Sequence, residues 1–242
     1  MVEVAAILSG GLATRLRPLT EKVPKALIEV AGKPFIERQL TLLRKKGIRR
    51  VVLCLGYRAQ QVERLVGDGK NWDLKVDYSY DGPDLLGTAG ALRKARHHLG
   101  ELFWVLYGDS YLDFDYRAVA NHFKQEGEGK LGLMTVFANH DRWDKSNVIF
   151  KNGRILKYDK MKPSPEMEYI DYGAAILRAA ALDLITNSPC DLAHLYAQLV
   201  DSNLLLGYEV TRRFYEIGSH EGIEDAARYF SLLDKGSASA PL

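Results

Sequence analysis

Short apolar runs alternate with longer amphipathic stretches through the first half of the chain. Residues 4–8 are apolar at every position, which is typical of a central strand covered on both faces. Residues 51–55 and 102–107 repeat this pattern, and residues 74–80 alternate like a strand with one more polar face. Helical periodicity separates these strands, at residues 35–47, 59–66 and 89–99. The regular exchange of the two periods predicts an α/β fold.

The second half of the chain is less regular. Its strand patterns fall at residues 131–138, 147–159, 169–177 and 209–217, and its helical patterns at residues 191–200 and 221–233. Asn152 and Gly153 predict a hairpin turn, and Asp191 is a candidate helix N-cap. Because no internal repeat or long linker divides the chain, we predict one domain over residues 1–235 and a flexible tail at residues 236–242.

Composition excludes several classes of protein. The 242 residues include 33 basic and 31 acidic side chains without a basic tract, whereas nucleic-acid binding needs clustered Lys and Arg. The two cysteines, Cys54 and Cys190, have no C-x-x-C partner, which argues against structural zinc and a disulfide scaffold. No apolar run approaches the ~18 residues of a membrane span. These features predict a soluble, cytoplasmic protein that binds neither nucleic acid nor membranes.

Candidate chemistry directly follows the first strand. Adjacent glycines, Gly10 and Gly11, let backbone N–H groups approach phosphate oxygens that a Cβ would obstruct. Arg15 and Arg17 offer planar donors for anionic oxygens, and Lys25 adds a compact charge behind a proline. Because open α/β sheets bind ligands beyond the carboxyl ends of their strands, this segment predicts a polyphosphate site. The spacing of the glycines excludes the dinucleotide fingerprint and the Walker motif.

Four motifs follow one another in a recognisable order. They are Gly10-Gly11-x-x-x-Arg15-x-x-Pro18 with Pro24-Lys25, then Leu86-Gly87-Thr88-Ala89-Gly90, Gly108-Asp109 and Glu216-Ile217-Gly218. Together they resemble the signature of the sugar-1-phosphate nucleotidyltransferases, or NDP-sugar pyrophosphorylases, over nearly the whole chain. The resemblance implies a Rossmann-like, mixed and mostly parallel sheet flanked by helices. It also implies an enzyme that joins an NTP to a sugar 1-phosphate and releases pyrophosphate.

The resemblance implies a role for each matching residue. Arg15 and Lys25 would be catalytic: Arg15 would hold the β- and γ-phosphates, and Lys25 would bridge the α-phosphate and the incoming phosphate. Asp109 and Glu216 would bind Mg²⁺, which prefers hard oxygen ligands. Relatives usually have Asp where Glu216 stands, and a surface charge at a strand end is the alternative for this residue. The nucleotide would contact Leu8, Ser9, Gly10, Gly11, Gly87, Thr88 and Asp109.

The resemblance places the sugar phosphate against the second half of the chain. Asp159-Lys160 resembles a Glu-Lys pair whose lysine touches the sugar phosphate, although Lys162 fits the proline that follows better. Asp171-Tyr172-Gly173 stands where many relatives have Asn-Ala-Gly. Lys160, Asp171 and Gly173 would therefore bind the sugar phosphate, with an ordinary polar strand position as the alternative for Asp171.

The resemblance leaves the substrates open. The glycine loop and the Leu-Gly-Thr-Ala-Gly block are most similar to those of guanylyltransferases, which favours GTP with mannose 1-phosphate or heptose 1-phosphate. Uridylyl- and thymidylyltransferases are alternatives, and so is a phosphocholine cytidylyltransferase, since Tyr172 and Trp143 could line an aromatic cage. Outside enzymes, the alternative is a regulatory relative that binds NDP-sugars without turnover. A homo-oligomer is also open.

Overall fold

The computed structural model describes residues 2–236 and builds them around one large mixed sheet. The strands are β1 (Val4–Ser9), β2 (Glu29–Val30), β3 (Lys33–Pro34), β4 (Arg50–Leu55), β5 (Lys75–Tyr80), β6 (Leu102–Tyr107), β7 (Ser110–Tyr111), β8 (Gly132–Ala138), β9 (Val148–Lys151), β10 (Arg154–Tyr158), β11 (Tyr169–Arg178), β12 (Leu205–Glu209) and β13 (Tyr215–Glu216). The α-helices are α1 (Phe35–Lys45), α2 (Ala59–Val66), α3 (Gly87–Leu99), α4 (Tyr116–Glu126), α5 (Leu192–Asp201) and α6 (His220–Asp234). Within residues 2–236, no helix combines the length and the apolar character needed to cross a membrane.

Four parallel strands form the first part of the sheet, in the order β5, β4, β1 and β6. Strand β11 then pairs antiparallel with β6 on one side and with β8 on the other, and β12 adds in parallel to β8. The β9–β10 hairpin joins β11 through the pairing of Tyr169 with Val148. The predicted α/β fold, with a mixed and mostly parallel sheet, is therefore confirmed.

Strand β1 lies in the middle of the parallel part because both of its faces are apolar. Its side chains alternate between two cores: Ala5 and Ile7 face one, and Ala6 and Leu8 face the other. Helices α1, α2 and α4 cover the first face, and α3 and α5 cover the second. Two covered faces explain why residues 4–8 show no polar alternation.

The order of the strands creates a crevice beside β1. The chain runs from β1 outward to β4 and β5, and then α3 brings it back to β6 on the opposite side of β1. The carboxyl ends of β1 and β6 thus flank the point where the strand order reverses, which is where open α/β sheets bind ligands. The glycine loop follows β1 at this point, and Gly108-Asp109 follows β6.

A small second sheet brings the end of the chain to the same crevice. Strand β13 pairs antiparallel with β7, and the Ile217 amide donates to the Asp109 carbonyl oxygen at 2.9 Å. Helix α6 follows at once, capped by the Ser219 hydroxyl, which accepts from the Gly222 amide at 3.0 Å. Residues about 100 positions apart in the sequence therefore meet at the carboxyl end of β6.

Two elements differ from the sequence predictions. The predicted strand over residues 209–217 is wrong: β12 ends at Glu209, a loop follows, and only Tyr215–Glu216 returns as a strand. Val210 and Phe214 are buried in the core, whereas Arg212 and Arg213 between them pair with carboxylates. The apolar residues of this segment therefore anchor a loop to the core and do not form one face of a strand. Helix α4 was not predicted, although Asp115 caps it by accepting from the Ala118 amide at 3.0 Å.

The prediction for the chain terminus falls largely outside the structure. Of the tail predicted at residues 236–242, all but Gly236 lie outside the described residues. The hairpin turn at Asn152 and Gly153 and the N-cap Asp191 are confirmed, since β9 and β10 pair across the turn and the Asp191 side chain accepts from the Ala193 amide at 2.8 Å.

Candidate active site

Two cavities meet at the carboxyl ends of β1 and β6. The smaller has a volume of about 320 Å³, and the larger about 890 Å³. Both sizes are within the usual range of small-molecule sites. The glycine loop and the Gly87-Thr88 loop line the smaller cavity, whereas Arg15 and Glu216 line the larger one. Both cavities share the residues Ala13, Lys25, Leu85, Asp109 and Lys160.

The structure brings together every residue predicted to contact the nucleotide. Leu8, Ser9, Gly10, Gly11, Gly87, Thr88 and Asp109 all line the smaller cavity. A Cβ on Gly10 would lie 2.9 Å from the Asp81 Oδ2 atom, so a side chain there would require Asp81 to shift. Gly108, at the end of β6, is more restricted, since a Cβ there would lie 2.7 Å from the Ser9 Cβ and 2.8 Å from the Leu8 carbonyl oxygen. Backbone is therefore the surface that these positions present to a ligand.

The Gly87-Thr88 loop is held in place by the segment before α5. The amides of Ala89 and Gly90 donate to the Cys190 carbonyl oxygen at 3.0 and 3.3 Å, and the Leu192 amide donates to the Thr88 hydroxyl at 2.6 Å. Gly87 has a φ of +73°, and a Cβ at that position would collide with the Cys190 carbonyl group. Only glycine combines that backbone conformation with such a close contact.

We expect Gly87→Ala to destabilise the protein by about 2–4 kcal/mol, because it adds left-handed strain of ~1 kcal/mol to a clash with immovable backbone. It should also weaken nucleotide binding, since the loop must move. Urea unfolding and nucleotide titration measure the two effects. Gly129→Ala is the matched control: its φ is +69°, but a Cβ there meets nothing within 4 Å. Equal losses of stability in the two variants would contradict the clash.

Lys25 and Asp109 form an ion pair where the two cavities join. Lys25 begins a 3₁₀ turn, and the extended Pro24 before it directs the chain into the crevice. Its Nζ lies 2.7 Å from the Asp109 Oδ2 atom, and the two side chains are 20% and 31% exposed. Both charged groups thus remain open to a ligand. An ammonium and a carboxylate at a shared boundary suit a phosphate group and the cation that accompanies it.

Glu216 supplies a second carboxylate beside this pair. It lies opposite Ser110 in the β13–β7 pairing, one residue after Asp109. Burial is the largest cause that raises the pKa of Glu216 to about 7; the negative charges of Asp109 and Asp144 act in the same direction, and the positive charges of Lys25 and Lys160 oppose it. Neighbouring carboxylates supply the oxygen ligands that a hard divalent cation prefers. The chemistry of Asp109 and Glu216 is therefore compatible with their predicted role as metal ligands.

The raised pKa of Glu216 predicts a pH-dependent stability without metal. Because the folded protein binds the proton more tightly than the unfolded chain, stability is fully present below pH 4.5 and is lost as the pH rises through about 7. A change of that size in pKa corresponds to at most about 3 kcal/mol. We expect urea unfolding in the presence of a chelator to show this decline between pH 5 and pH 8. Glu216→Gln should flatten it.

If the stability of Glu216→Gln fell with rising pH as steeply as that of the unmodified protein, groups other than Glu216 would cause the decline. Asp171, whose pKa burial raises to about 6, adds a slope that both proteins share, so the difference between them isolates Glu216.

Lys160, rather than Lys162, lies against the site. The Asp159 Oδ1 atom accepts from the amides of Met161 and Lys162 at 3.0 and 2.8 Å, which bends the chain. Lys160 lines both cavities, with its Nζ 5.5 Å from the centre of the Tyr107 ring, whereas Lys162 lines neither. The structure thus favours the first of the two lysines that the sequence left open.

Asp171 and Gly173 stand behind the cavity wall and line neither cavity. Asp171 accepts from the Gly173 amide at 3.0 Å, and its own amide donates to the Asn147 side chain at 2.9 Å. Burial is the main cause of the raised pKa of Asp171, and the Lys160 charge opposes it. Their predicted contact with the sugar remains a prediction, and it requires the ligand to reach past Tyr107 and Lys160.

The larger cavity has more basic side chains than the sequence motifs indicated. Arg15 lines it as predicted, whereas Arg17 is exposed and lines neither cavity. Arg142, Arg213 and Arg228 also line it, and all three come from segments without a recognisable motif. Arg213 stacks on Trp143 with its guanidinium carbon 3.3 Å from the ring centre. One face of Trp143 is therefore occupied.

Asp81 is a charged residue of the smaller cavity that the sequence motifs did not indicate. It directly follows β5, its side chain is buried, and it lines the cavity together with Cys54 from β4. The sequence did contain a signal: an acidic residue at the carboxyl end of a predicted parallel strand. Asp81 did not stand out, however, because it and the adjoining residues, Gly82 and Pro83, form no recognisable motif.

Comparisons with known proteins agree with this geometry. A mannose-1-phosphate guanylyltransferase catalytic subunit beta from Dictyostelium discoideum is 36% identical over 194 residues, which cover 78% of this chain and 53% of that protein. A UTP–glucose-1-phosphate uridylyltransferase from Synechocystis sp. is 30% identical over 218 residues, covering 83% of this chain and 56% of that protein. The chain thus spans about half the length of the curated relatives it matches.

The fold has close counterparts among solved structures. The inositol-1-phosphate CTP transferase from T. maritima superimposes with a TM-score of 0.78 at 20% identity, covering 100% of this chain and 98% of that one. The family model described as nucleotidyl transferase matches residues 4–154, more than half of the chain and the part that holds the glycine loop, Lys25, the Gly87-Thr88 loop and Asp109. The chain therefore belongs to the nucleotidyl transferase family, as its motifs predicted.

Proposed function

We propose that this protein transfers a nucleoside monophosphate from an NTP to a sugar 1-phosphate and releases pyrophosphate. The observation that carries the proposal is the Lys25–Asp109 pair at the junction of the two cavities. The smaller cavity suits the nucleoside because backbone and small side chains line it. The larger cavity suits the anionic groups, since Arg15, Lys25 and Lys160 all line it.

The proposed reaction is a direct displacement. An oxygen of the sugar phosphate attacks the α-phosphorus, the bond from that phosphorus to the bridging oxygen of the β-phosphate breaks, and pyrophosphate leaves with the bonding electrons. No covalent intermediate with the protein is needed, so positioning and neutralisation of charge provide the catalysis. Lys25 would stabilise charge on the α-phosphate, Arg15 would hold the departing phosphates, and Lys160 would hold the incoming one.

We propose Mg²⁺ as the cofactor, with Asp109 and Glu216 as its protein ligands. Their fit rests on the nearness of the two carboxylates: burial first, and then the charge of Asp109, raise the pKa of Glu216 to about 7. Magnesium usually takes only one or two carboxylates and fills its remaining positions with phosphate oxygens and water. When bound, the ion would supply charge neutralisation on the phosphate oxygens.

For the substrates we propose GTP with mannose 1-phosphate or heptose 1-phosphate. The guanylyltransferase relative supports this choice, and the uridylyltransferase relative supports the second candidate, UTP with a hexose 1-phosphate. Phosphocholine is disfavoured as acceptor: Arg213 covers one face of Trp143, and Tyr172 is buried among Phe114, Phe137 and Phe214. A non-catalytic relative is disfavoured because Arg15, Lys25 and Asp109 are all present at the cavities.

The direct test is Mg²⁺-dependent pyrophosphate release from five NTPs, each combined with hexose, heptose and N-acetylhexosamine 1-phosphates. Release with one pairing would establish both the transfer and its specificity. Phosphocholine serves as the outlying acceptor. Nucleotide binding without release from any combination would favour the regulatory alternative and contradict the proposed transfer.

A further inference from the structure

Gln39 is a polar residue on the buried face of α1. It is only 4% exposed, and its neighbours on this face are Ile36, Leu40 and Leu43, which belong to the core between the helix and the sheet. Gln39 lines neither of the two cavities at the candidate active site. A buried amide is costly unless its polar atoms find hydrogen-bond partners, so a glutamine at an apolar position of a helix requires an explanation.

The two partners of Gln39 flank the turn that presents Asp109. The Nε2 atom donates to the Tyr107 carbonyl oxygen at 3.1 Å and to the Ser110 carbonyl oxygen at 2.9 Å. Gly108 and Asp109 lie between these two acceptors. Since both partners are carbonyl oxygens, only the NH₂ end of the amide can satisfy them. One side chain therefore ties together the two ends of the turn.

The other end of the Gln39 amide makes no compensating contact. Its Oε1 atom is buried and has no hydrogen-bond partner among the described residues. An apolar side chain of similar volume would fill the same space without this unpaired oxygen, so packing alone would favour a residue such as methionine. The two donated bonds are thus what the amide contributes, and both act on the turn.

Other segments hold the same turn from its remaining sides. The Gly108 amide donates to the Leu8 carbonyl oxygen at 2.9 Å, and the Asp109 carbonyl oxygen accepts from the Ile217 amide at 2.9 Å. These bonds attach the turn to β1 and to the segment that follows β13. Gln39 adds the attachment to the helical layer, so the turn is fixed from three directions.

Ser110 connects Gln39 to the second carboxylate as well. Ser110 pairs with Glu216 across β7 and β13, so a shift of Ser110 moves the strand that carries Glu216. The spacing of two carboxylates matters for Mg²⁺, because this ion demands near-ideal octahedral geometry. Side chains that orient metal ligands from behind typically change metal affinity or activity by about 10- to 100-fold.

We propose that Gln39 is a positioning residue, which fixes the Gly108-Asp109 turn and thereby the spacing of the Asp109 and Glu216 carboxylates. The inference rests on the proposed function for the role of these carboxylates, and it deepens that function by naming what sets their geometry. Because Gln39 lines neither cavity, it acts through the backbone of the turn.

Gln39→Met removes both donors, because methionine is unbranched, similar in volume and donates no hydrogen bond. We expect kcat for pyrophosphate release to fall by about 10- to 100-fold and the Mg²⁺ concentration at half-maximal rate to rise, with little change in the KM for the NTP. Steady-state kinetics over a series of Mg²⁺ concentrations would measure these effects. Unchanged kcat and Mg²⁺ dependence would overturn the inference.

Amide hydrogen exchange supplies a readout that needs neither metal nor turnover. With a chelator present, we expect the Gly108 and Ile217 amides of Gln39→Met to exchange at least about 10-fold faster than in the unmodified protein, relative to the amides of β4. Such a local change would follow from a loosened turn. Equal acceleration at the turn and in β4 would assign Gln39 a general role in stability and overturn the positioning role.

Arg38→Lys is the matched control on the same helix. Arg38 donates to the carbonyl oxygens of Val30 and Ala31 at 3.2 and 2.8 Å, and neither of these residues lines a cavity of the candidate site. Lysine keeps the charge beside Asp234 but lacks the planar fork that holds both carbonyl groups. We expect reduced stability with unchanged kcat and Mg²⁺ dependence. An equal loss of kcat in both variants would contradict a specific role for Gln39.

Gln39→Glu varies the number of donors within one protein, which keeps the test decisive if Gln39→Met does not fold. A protonated carboxyl group donates one hydrogen bond and an ionised one donates none. We expect the kcat of this variant, relative to that of the unmodified protein, to fall by about 10-fold or more between about pH 6 and pH 9, the range in which a buried glutamate ionises. A constant ratio over this range would contradict the need for a donor.

The same measurements separate this inference from the proposed function. Faster exchange confined to the turn in Gln39→Met, without pyrophosphate release from any substrate pair in the unmodified protein, would support the positioning role and contradict the transfer. Pyrophosphate release at the same rate in both proteins would support the transfer and overturn the role of Gln39.

Discussion

Lys25→Ala is expected to lower kcat for pyrophosphate release by about 100- to 1,000-fold, the range seen when one preorganised donor is removed from developing negative charge. The ammonium lies 2.7 Å from Asp109 where the two cavities join, so in the proposed reaction it would stand beside the phosphate that accepts charge during displacement. Steady-state kinetics with saturating substrates would measure the loss. The KM for the NTP should change far less than kcat, because the contact strengthens in the transition state.

The fold should tolerate this substitution. The Lys25 and Asp109 side chains are 20% and 31% exposed, and ion pairs with access to water contribute about 0–1 kcal/mol to stability. Lys22→Ala is the matched control, since Lys22 is exposed, precedes the same turn and lines neither cavity. A Lys25→Ala protein with unchanged kcat would remove Lys25 from the proposed catalytic residues, and an unfolded one would assign it a structural role.

Asp109→Asn is expected to abolish Mg²⁺-dependent turnover, with a loss of about 1,000-fold or more. The substitution keeps the shape of the side chain but removes the charge that a hard cation requires, and such charge stabilisation amounts to several kcal/mol. The comparison to make is the Mg²⁺ concentration dependence of pyrophosphate release in the two proteins. A wild-type rate with unchanged Mg²⁺ dependence would remove Asp109 from the proposed metal site.

Asp109→Asn carries a second readout that does not depend on catalysis. The negative charge of Asp109 is one cause of the raised pKa of Glu216, so the variant should lower that pKa toward its ordinary value of 4.5. NMR titration of the Glu216 carboxyl carbon would detect the change. Asp115→Asn is the control: Asp115 caps α4 and lines neither cavity, and asparagine caps a helix equally well.

Most of the sheet could be predicted because its strands have local signatures. Residues 4–8 are uniformly apolar because both faces of β1 are buried, and residues 102–107 match β6 for the same reason. Helix α4 could also have been predicted, because its segment has a helix cap and the spacing of an amphipathic helix. The cap is Asp115, and the buried positions are Tyr116, Val119, Ala120 and Phe123. The strand predicted at residues 209–217 failed because buried loop anchors imitate an alternating pattern.

The sequence by itself determined the family, and it located the glycine loop and the charged residues that we propose act on phosphates, because each belongs to a short motif whose local geometry follows from its residue types. Tertiary structure alone decided which of these residues meet. The pairing of β13 with β7 sets Glu216 beside Asp109, and the burial that follows raises the pKa of Glu216 to about 7. Asp81 lines the smaller cavity because β5, β4 and β1 lie side by side. Contacts between distant segments and the desolvation they cause depend on the packed fold, so no local pattern encodes them.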